Sequence, residues 1–370
     1  MDLHVALAGG GTAGHVNPLL ATAHAVRARG GRVTAIGTEQ GLETTLVPAD
    51  GFTLEFVPKV PVPRRPTPEL LSLPTRLKGA VDRALEILEG VDVLVGFGGY
   101  VSAPAYIAAK RAGIPFIVQE QNVRPGWANK LGARNAAAVS LTFPETELRA
   151  RVGITKVTGM PLRRAIMELA EQRKTVEGRL AAREVGARIF GLDPSLPTLL
   201  VTGGSLGAQH LNEVITQSST RIRHGIQILH VTGKGKSAEV IAAAANPKVK
   251  YKWEVVEYLG NMDQAMAAAD LVLCRSGAGT VSELEALGLP AFYVPLPIGN
   301  GEQKLNAAAQ VHAGGALLVE DKYFTVATLE QTVIPLLVDS ERLERMGEAS
   351  RSVSPGDGAQ LLVDLIEMVA

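Results

Sequence analysis

Short apolar runs without polar alternation recur along this chain, each followed by a glycine turn and then a longer stretch with helical spacing. Leu3 to Ala8 is the first such run, followed by Gly9-Gly10-Gly11-Thr12-Ala13-Gly14 and a helix over Leu19–Arg29. Arg32 to Ile36 is a second strand, Val91 to Val95 a third, and Ile114 to Gln119 a fourth, with a helix over Ala103–Arg111 after the turn Gly96-Phe97-Gly98-Gly99. Runs that never alternate are expected of parallel strands covered on both faces. Their alternation with helices predicts an α/β fold with a doubly wound parallel sheet. The same pattern restarts at Thr198–Thr202, passes through Gly203-Gly204-Ser205-Leu206-Gly207, and continues at Gln227–Thr232, Tyr251–Val256, Leu271–Leu273 and Ala291–Val294. A boundary near Gly159-Met160-Pro161 therefore divides two Rossmann-like domains in tandem, residues 1–160 and 161–370. The charged, helical-looking segment Arg163–Gly191 has no role that the sequence assigns. Pro58–Pro74 is proline-rich, excluded from helix interiors and central strands, and leads into an amphipathic helix with Leu77, Val81, Ala84, Leu85 and Leu88 on one face.

Length supports the division, because 370 residues exceed the ~250–300 at which single cores stop growing. Lys plus Arg and Asp plus Glu number 37 each, so no global basic field points to nucleic acid. A single cysteine, Cys274, leaves no internal disulfide and fits a reducing compartment; its own expected place is the core. No signal-peptide pattern opens the chain, and no apolar run reaches the ~18–20 residues of a membrane span. The expectation is a cytoplasmic protein that visits a membrane surface. The docking surface would be Lys59 through Arg83, where Lys59, Arg64, Arg65, Arg76, Lys78 and Arg83 face only Glu69 and Asp82, beside Leu70, Leu71 and Leu73. Such a surface suits an anionic leaflet.

The glycine turns carry the candidate chemistry. Gly9, Gly11 and Gly14 match G-x-G-x-x-G, which alone suggests a dinucleotide site. That reading also wants an acid at the end of the second strand, where Ile36-Gly37-Thr38 stands with Glu39 just beyond. His15 follows the turn at a helix start, whose positive end favours the neutral imidazole a general base needs. Gly96 to Tyr100 opens the same crevice. Glu120-Gln121-Asn122 ends a buried strand with three polar side chains, a pattern more typical of a site than of a core. Gly203 to Gly207, with Ser205, is a phosphate cradle at a helix start, and Arg163 is a candidate bidentate partner of the same diphosphate. Arg275-Ser276-Gly277-Ala278-Gly279 is one more strand–turn–helix junction. One turn on, Glu283 is placed to accept from ribose hydroxyls or else to complement the helix dipole. Gln303 and Asn306 share a helix face toward a sugar. There is no Asp-x-Asp pair and no metal-ligand spacing among the seven histidines and one cysteine, so no catalytic metal and no cofactor are expected.

These motifs, in this order, resemble the MurG family of bacterial UDP-N-acetylglucosamine transferases. The resemblance rests on Gly10-Gly11-Thr12-Ala13-Gly14-His15, Gly98-Gly99-Tyr100, Glu120-Gln121-Asn122, Gly203-Gly204-Ser205, Arg275-Ser276-Gly277, Thr280-Val281-Ser282-Glu283, and Gln303 with Asn306. It implies the GT-B architecture, two Rossmann-like domains with a cleft between them, whose final helix, here Gln360–Val369, returns to the N-terminal domain. It implies an inverting transfer of N-acetylglucosamine from UDP-N-acetylglucosamine to the 4-hydroxyl of the N-acetylmuramoyl unit of lipid I, a polyprenyl-diphosphate-linked muramoyl peptide, giving lipid II for peptidoglycan. It implies donor contacts from Thr12, Ala13, Gly14, Asn122, Arg163, Ser205, Leu259, Ala278, Gly279, Thr280, Val281, Ser282, Glu283 and Gln303. His15 and Glu120 are its acid/base candidates, and Tyr100 and Asn212 lie near the acceptor. Ala13 stands where many members have a third glycine. Rival readings are a transferase for a soluble acceptor, a non-hydrolysing UDP-sugar epimerase, an NAD-dependent oxidoreductase, and a non-catalytic nucleotide-sugar sensor.

Overall fold

A computed structural model describes residues 2–60, 72–204, 207–222, 224–298 and 300–370. The chain forms two compact units, Met1–Arg163 with Pro355–Ala370, and Arg164–Ser354.

The first unit holds a seven-stranded sheet in the order β3-β2-β1-β4-β5-β6-β7. Its strands are β1 His4–Ala8, β2 Arg32–Gly37, β3 Thr53–Phe56, β4 Val93–Gly96, β5 Phe116–Glu120, β6 Ala138–Leu141 and β7 Ile154–Val157. Every pairing is parallel. The unalternated runs are buried on both faces, as parallel strands require: Val5 and Leu7 face one core, Ala6 and Ala8 the other. Strand order reverses between β1 and β4, the switch point where a doubly wound sheet opens its crevice. Ala8 lies level with Ile36 and with Gly96, so the loops after β1, β2 and β4 leave the sheet together.

The second unit repeats the design with six strands in the order β10-β9-β8-β11-β12-β13. They are β8 Thr198–Thr202, β9 Gln227–Val231, β10 Lys252–Val256, β11 Leu271–Cys274, β12 Ala291–Tyr293 and β13 Ala316–Leu318, again paired in parallel. Thr202 is level with Cys274, so Gly203 and Arg275 start their loops side by side at this sheet's own switch point.

Two helices begin earlier than the sequence pattern suggests. The first runs Ala13–Ala28 and contains Pro18. A proline there forgoes only a bond to the carbonyl of Gly14, an exposed residue that water reaches. The second runs Gly99–Ala112, with Pro104 inside. The early starts put His15 and Tyr100 in first helical turns.

The last helix, Gly358–Val369, belongs to the first unit. Leu362, Val363, Leu365 and Ile366 are buried in the same core as Val16 and Leu19, each contributing about 1.5–3 kcal/mol of burial. Gly358 sits so close that a Cβ would lie 2.4 Å from the Met160 carbonyl. Asp357 caps the helix through the amides of Ala359 and Gln360, and Arg29 holds Asp364 at 2.7 Å and Glu367 at 3.0 Å.

The unassigned segment 163–191 forms helices Arg164–Gln172 and Val176–Ile189 of the second unit. Gly186 lets the second of them approach Met262–Ala268, with a Cβ only 2.4 Å from the Gln264 carbonyl. Arg183 pairs with Asp270 at the start of β11 and donates to the carbonyls of Pro194 and Leu196. The segment packs on the helices Met262–Ala268 and Ala278–Leu287.

Among the expected docking residues, 61–71 lie outside the described residues, with Arg64, Arg65, Glu69, Leu70 and Leu71 among them. The helix Leu73–Ile87 turns Ala80, Val81 and Ala84 inward, and Leu77 and Leu85 pack on the same core. Lys78 pairs with Asp82, and Arg83 with Glu55 and Glu86, so part of the counted basic charge is matched locally.

Candidate functional site

In the first unit the crevice-forming loops converge on His15. Its imidazole lies 3.1 Å (Nδ1) from the Thr12 hydroxyl. The opposite wall is Gly98-Gly99, both at positive φ (89° and 77°). A Cβ at Gly98 would stand 3.3 Å from His15 Nε2 and 3.5 Å from the Asn129 amide nitrogen. Side chains are thus excluded at Gly98 by conformation and by the ring that occupies the space. Burial lowers the pKa of His15 below its ordinary value; the Glu43 carboxylate and a hydrogen bond to the Gly10 carbonyl oppose this. The imidazole is therefore neutral near pH 7, the state that accepts a proton. Tyr100 is half exposed beside it, with Lys59 Nζ 5.6 Å from its ring centroid.

Glu120, the second acid/base candidate, is 1% exposed at the end of β5. Its Oε1 accepts from the Asn122 amide at 2.9 Å, and its Oε2 accepts from the Gly126 amide at 3.0 Å and from Asn129 Nδ2 at 2.9 Å. Burial raises its pKa, against the pull of those donors. Both oxygens are committed to holding the loop after β5, whereas His15 presents its ring beside exposed Thr12 and Gly14. Asn129, which no motif flagged, anchors Glu120: its amide donates to Glu120 and to the Gln119 carbonyl and accepts from Tyr106 Oη at 2.9 Å. The signal was an asparagine in a helix only six residues long, Trp127–Gly132.

Asn122 is partly buried and belongs to this same loop, its carbonyl accepting from Thr146. Thr12 is the N-cap residue of the first helix, Ala13 its first residue, and Gly14 is exposed. Arg163 closes the first unit and is partly buried.

The second unit holds the other loops. Ser205 and Leu206 lie outside the described residues. Their flanks are shaped as a tight turn: Gly204 and Gly207 have positive φ, and a Cβ at Gly203 would lie 2.1 Å from the Ala208 amide. The helix Gln209–Ser218 follows. Beside it, helix Ala278–Leu287 starts at the turn after β11. Ala278, Gly279, Thr280 and Ser282 line its first turns. Val281 is fully buried and its amide is bonded to the Gly277 carbonyl, so it offers a ligand neither side chain nor donor. Glu283 is the sixth helical residue and partly exposed, and the first turn carries no acid. The dipole-complement reading therefore loses its basis, since that effect fades beyond the first turn. Leu259 is partly buried after β10. Gln303 accepts from the Leu296 amide at 3.0 Å and braces the Pro295–Pro297 segment.

Two expectations are corrected. Asn212 does not face an acceptor: it is 4% exposed, its amide donates to the Thr232 carbonyl at 3.1 Å, and its oxygen meets His230 Nε2 at 3.0 Å. Asn306 is fully buried rather than turned outward with Gln303. Arg275 is nine-tenths buried and donates to the carbonyls of Val294 and Pro295 and to Asp321, which also meets His210 at 3.0 Å. Asp321 and His210 gave no sequence signal because they stand 111 positions apart. Among the described residues no group of His, Cys, Asp or Glu is arranged to hold a metal ion. A cavity of about 590 Å³ lies beside Pro197 and Asp270 at the opposite, amino-terminal edge of this sheet, away from these loops.

Comparison with known proteins places this arrangement. Residues 5–141 match the glycosyltransferase family 28 N-terminal domain and 198–362 the family 28 C-terminal domain. A Streptomyces coelicolor protein is 50% identical, over 98% of this chain and 97% of its own length. Its name is UDP-N-acetylglucosamine--N-acetylmuramyl-(pentapeptide) pyrophosphoryl-undecaprenol N-acetylglucosamine transferase. A Streptomyces avermitilis protein of the same name is 49% identical over 98% of each chain. The crystal structure of Acinetobacter baumannii MurG matches with a TM-score of 0.77 at 26% identity, covering 99% of this chain and all of that one.

Proposed function

Because the chain belongs to glycosyltransferase family 28, we propose that it transfers N-acetylglucosamine from UDP-N-acetylglucosamine to an N-acetylmuramyl-(pentapeptide) pyrophosphoryl-undecaprenol acceptor, as its Streptomyces relatives are named to do. The observation that carries the reading is near-full-length identity of 50% with such a relative, which retains both units rather than one. In this chain both units keep the loops at their switch points that such chemistry requires.

The reaction is a single displacement with inversion. Neutral His15 takes the proton from the acceptor's 4-hydroxyl as that oxygen attacks the anomeric carbon. UDP departs against the amides at the starts of helices Gln209–Ser218 and Ala278–Leu287, with Arg163 and the Ser205 loop as further donors. Glu120 shapes the acceptor-side loop instead of taking the proton. Among the described residues no helix is long and apolar enough to cross a membrane. The polyprenyl tail keeps the acceptor in the bilayer, so the enzyme works at a membrane surface.

Incubation with labelled UDP-N-acetylglucosamine and lipid I, followed by chromatography of the lipid, tests the whole reading. A labelled disaccharide lipid is expected. Release of an epimerised UDP-sugar without lipid labelling, or transfer only to soluble acceptors, would replace it with one of the rivals.

Two further results are expected. Replacing Glu283 with alanine weakens UDP binding by about 1.5–3 kcal/mol, the worth of hydrogen bonds to a charged acceptor. Calorimetry showing unchanged affinity would remove Glu283 from the ribose site. Activity also survives EDTA in washed enzyme, because helix starts and arginine, not a cation, meet the leaving diphosphate. Loss with EDTA that magnesium restores would contradict the displacement as written.

A further inference from the structure

Glu43 is a fully buried charge that the reaction above does not use. It opens the short helix Glu43–Ala49, is 0% exposed, and sends its carboxylate under the first glycine loop. Oε1 accepts from the amide and the hydroxyl of Thr38, both at 3.0 Å, and Oε2 accepts from the Gly11 amide at 2.7 Å. Glycines surround it: a Cβ at Gly10 would stand 2.3 Å from Oε1, and one at Gly41 2.1 Å from Oε2. Gly10 and Gly41 therefore lack side chains because the carboxylate fills that space. A buried carboxylate on three donors is a specific arrangement, since burial without them would cost several kcal/mol.

The link to His15 is one peptide group. The Gly11 N–H that donates to Glu43 and the Gly10 C=O beside the His15 ring belong to the same amide. One peptide group thus separates carboxylate from imidazole. The negative end polarises the amide, and the amide's oxygen, with the Thr12 hydroxyl 3.1 Å from Nδ1, sets which way the ring turns. The charged groups near the ring are Glu43 from below the loop and Glu120 across Asn129; Thr12, Gly98 and Gly99 complete its surroundings.

We propose that Glu43 is a positioning residue for His15, acting through the Gly10–Gly11 peptide. It plays the part that a carboxylate plays toward the histidine of a hydrolase triad, at one amide's remove. The proposal rests on the reading of His15 as the base for its catalytic meaning, but its test is independent of turnover.

The test follows nitrogen-15 resonances of the wild-type protein and of Glu43→Gln across pH. In the wild type, the Gly11 amide shift is expected to titrate with the same midpoint as the His15 imidazole. In Glu43→Gln the His15 midpoint is expected to move to lower pH, because the lost negative charge had favoured the imidazolium, while the other histidines stay put. Turnover of the variant is expected to fall by about 10²-fold, the cost of a base displaced by an ångström or so. A Gly11 amide that ignores His15 protonation, or a His15 midpoint unmoved in the folded variant, overturns the proposal. If Glu43→Gln does not fold, the wild-type titration decides alone. Near-normal turnover of a His15 variant would remove the base assignment and leave the coupling measurement intact, so the two failures are distinguishable.

Discussion

Replacing His15 with alanine is expected to lower turnover by about 10²–10⁴-fold, the range a positioned general base supplies, with little change in UDP affinity. The histidine stands in the first unit, whereas most of the proposed UDP contacts, Glu283 among them, stand in the second. Its ring is partly buried and neutral, so the charge of the ground state is unchanged by its removal. The wild-type enzyme also has a characteristic pH profile. Burial lowers the pKa of His15 below 6.5, and the active form is the neutral one. Acceptor kcat/KM should therefore hold as pH falls to about 6.5 and decline only below it. The alanine variant should lose that limb. A folded variant with normal turnover, or one retaining the limb, would move the base elsewhere.

Replacing Glu120 with alanine is expected to act on the fold first. Three donors, the part-buried amides of Asn122 and Gly126 and the buried side chain of Asn129, lose their acceptor at once. Each unsatisfied buried group costs about 1–3 kcal/mol. For Asn129 alone that is a sizeable share of the ~5–15 kcal/mol that holds a domain together; the two amides, which water can reach, add less. Denaturant midpoints and activity should fall together, and Glu120→Gln should recover part of both, because its amide oxygen still serves some donors. The acidic limb assigned to His15 should persist in whatever activity remains. A Glu120→Gln protein of normal stability, with turnover abolished and that limb gone, would instead make Glu120 the base.

The sheets were legible because unalternated runs such as Leu3–Ala8 and Thr198–Thr202 permit little besides a doubly covered parallel strand. The site loops were legible because glycine marks where backbone must pass close to something. Helix starts were harder. The pattern put the starts at Leu19 and Ala103, yet the helices take in Pro18 and Pro104, since a proline early in a helix costs little where water reaches the freed carbonyl. Partners were hardest. Gly10 belonged to a flagged glycine loop, but nothing in that loop named Glu43 as the group approaching. Asn212 was expected at the acceptor from the family resemblance, and it spends both ends of its amide inside the second unit.

The return of helix Gly358–Val369 to the first unit has a consequence for biosynthesis. A ribosome delivers residues 1–163 long before Leu362, Val363, Leu365 and Ile366 exist, yet those four belong to the core built on Val16 and Leu19. The first unit therefore keeps one apolar face open until that helix has been made, whereas the second is contiguous from Arg164 to Ser354. The part of the protein made first stays unfinished until every residue of the second unit has been made, and the nascent chain carries an uncovered seam throughout that interval.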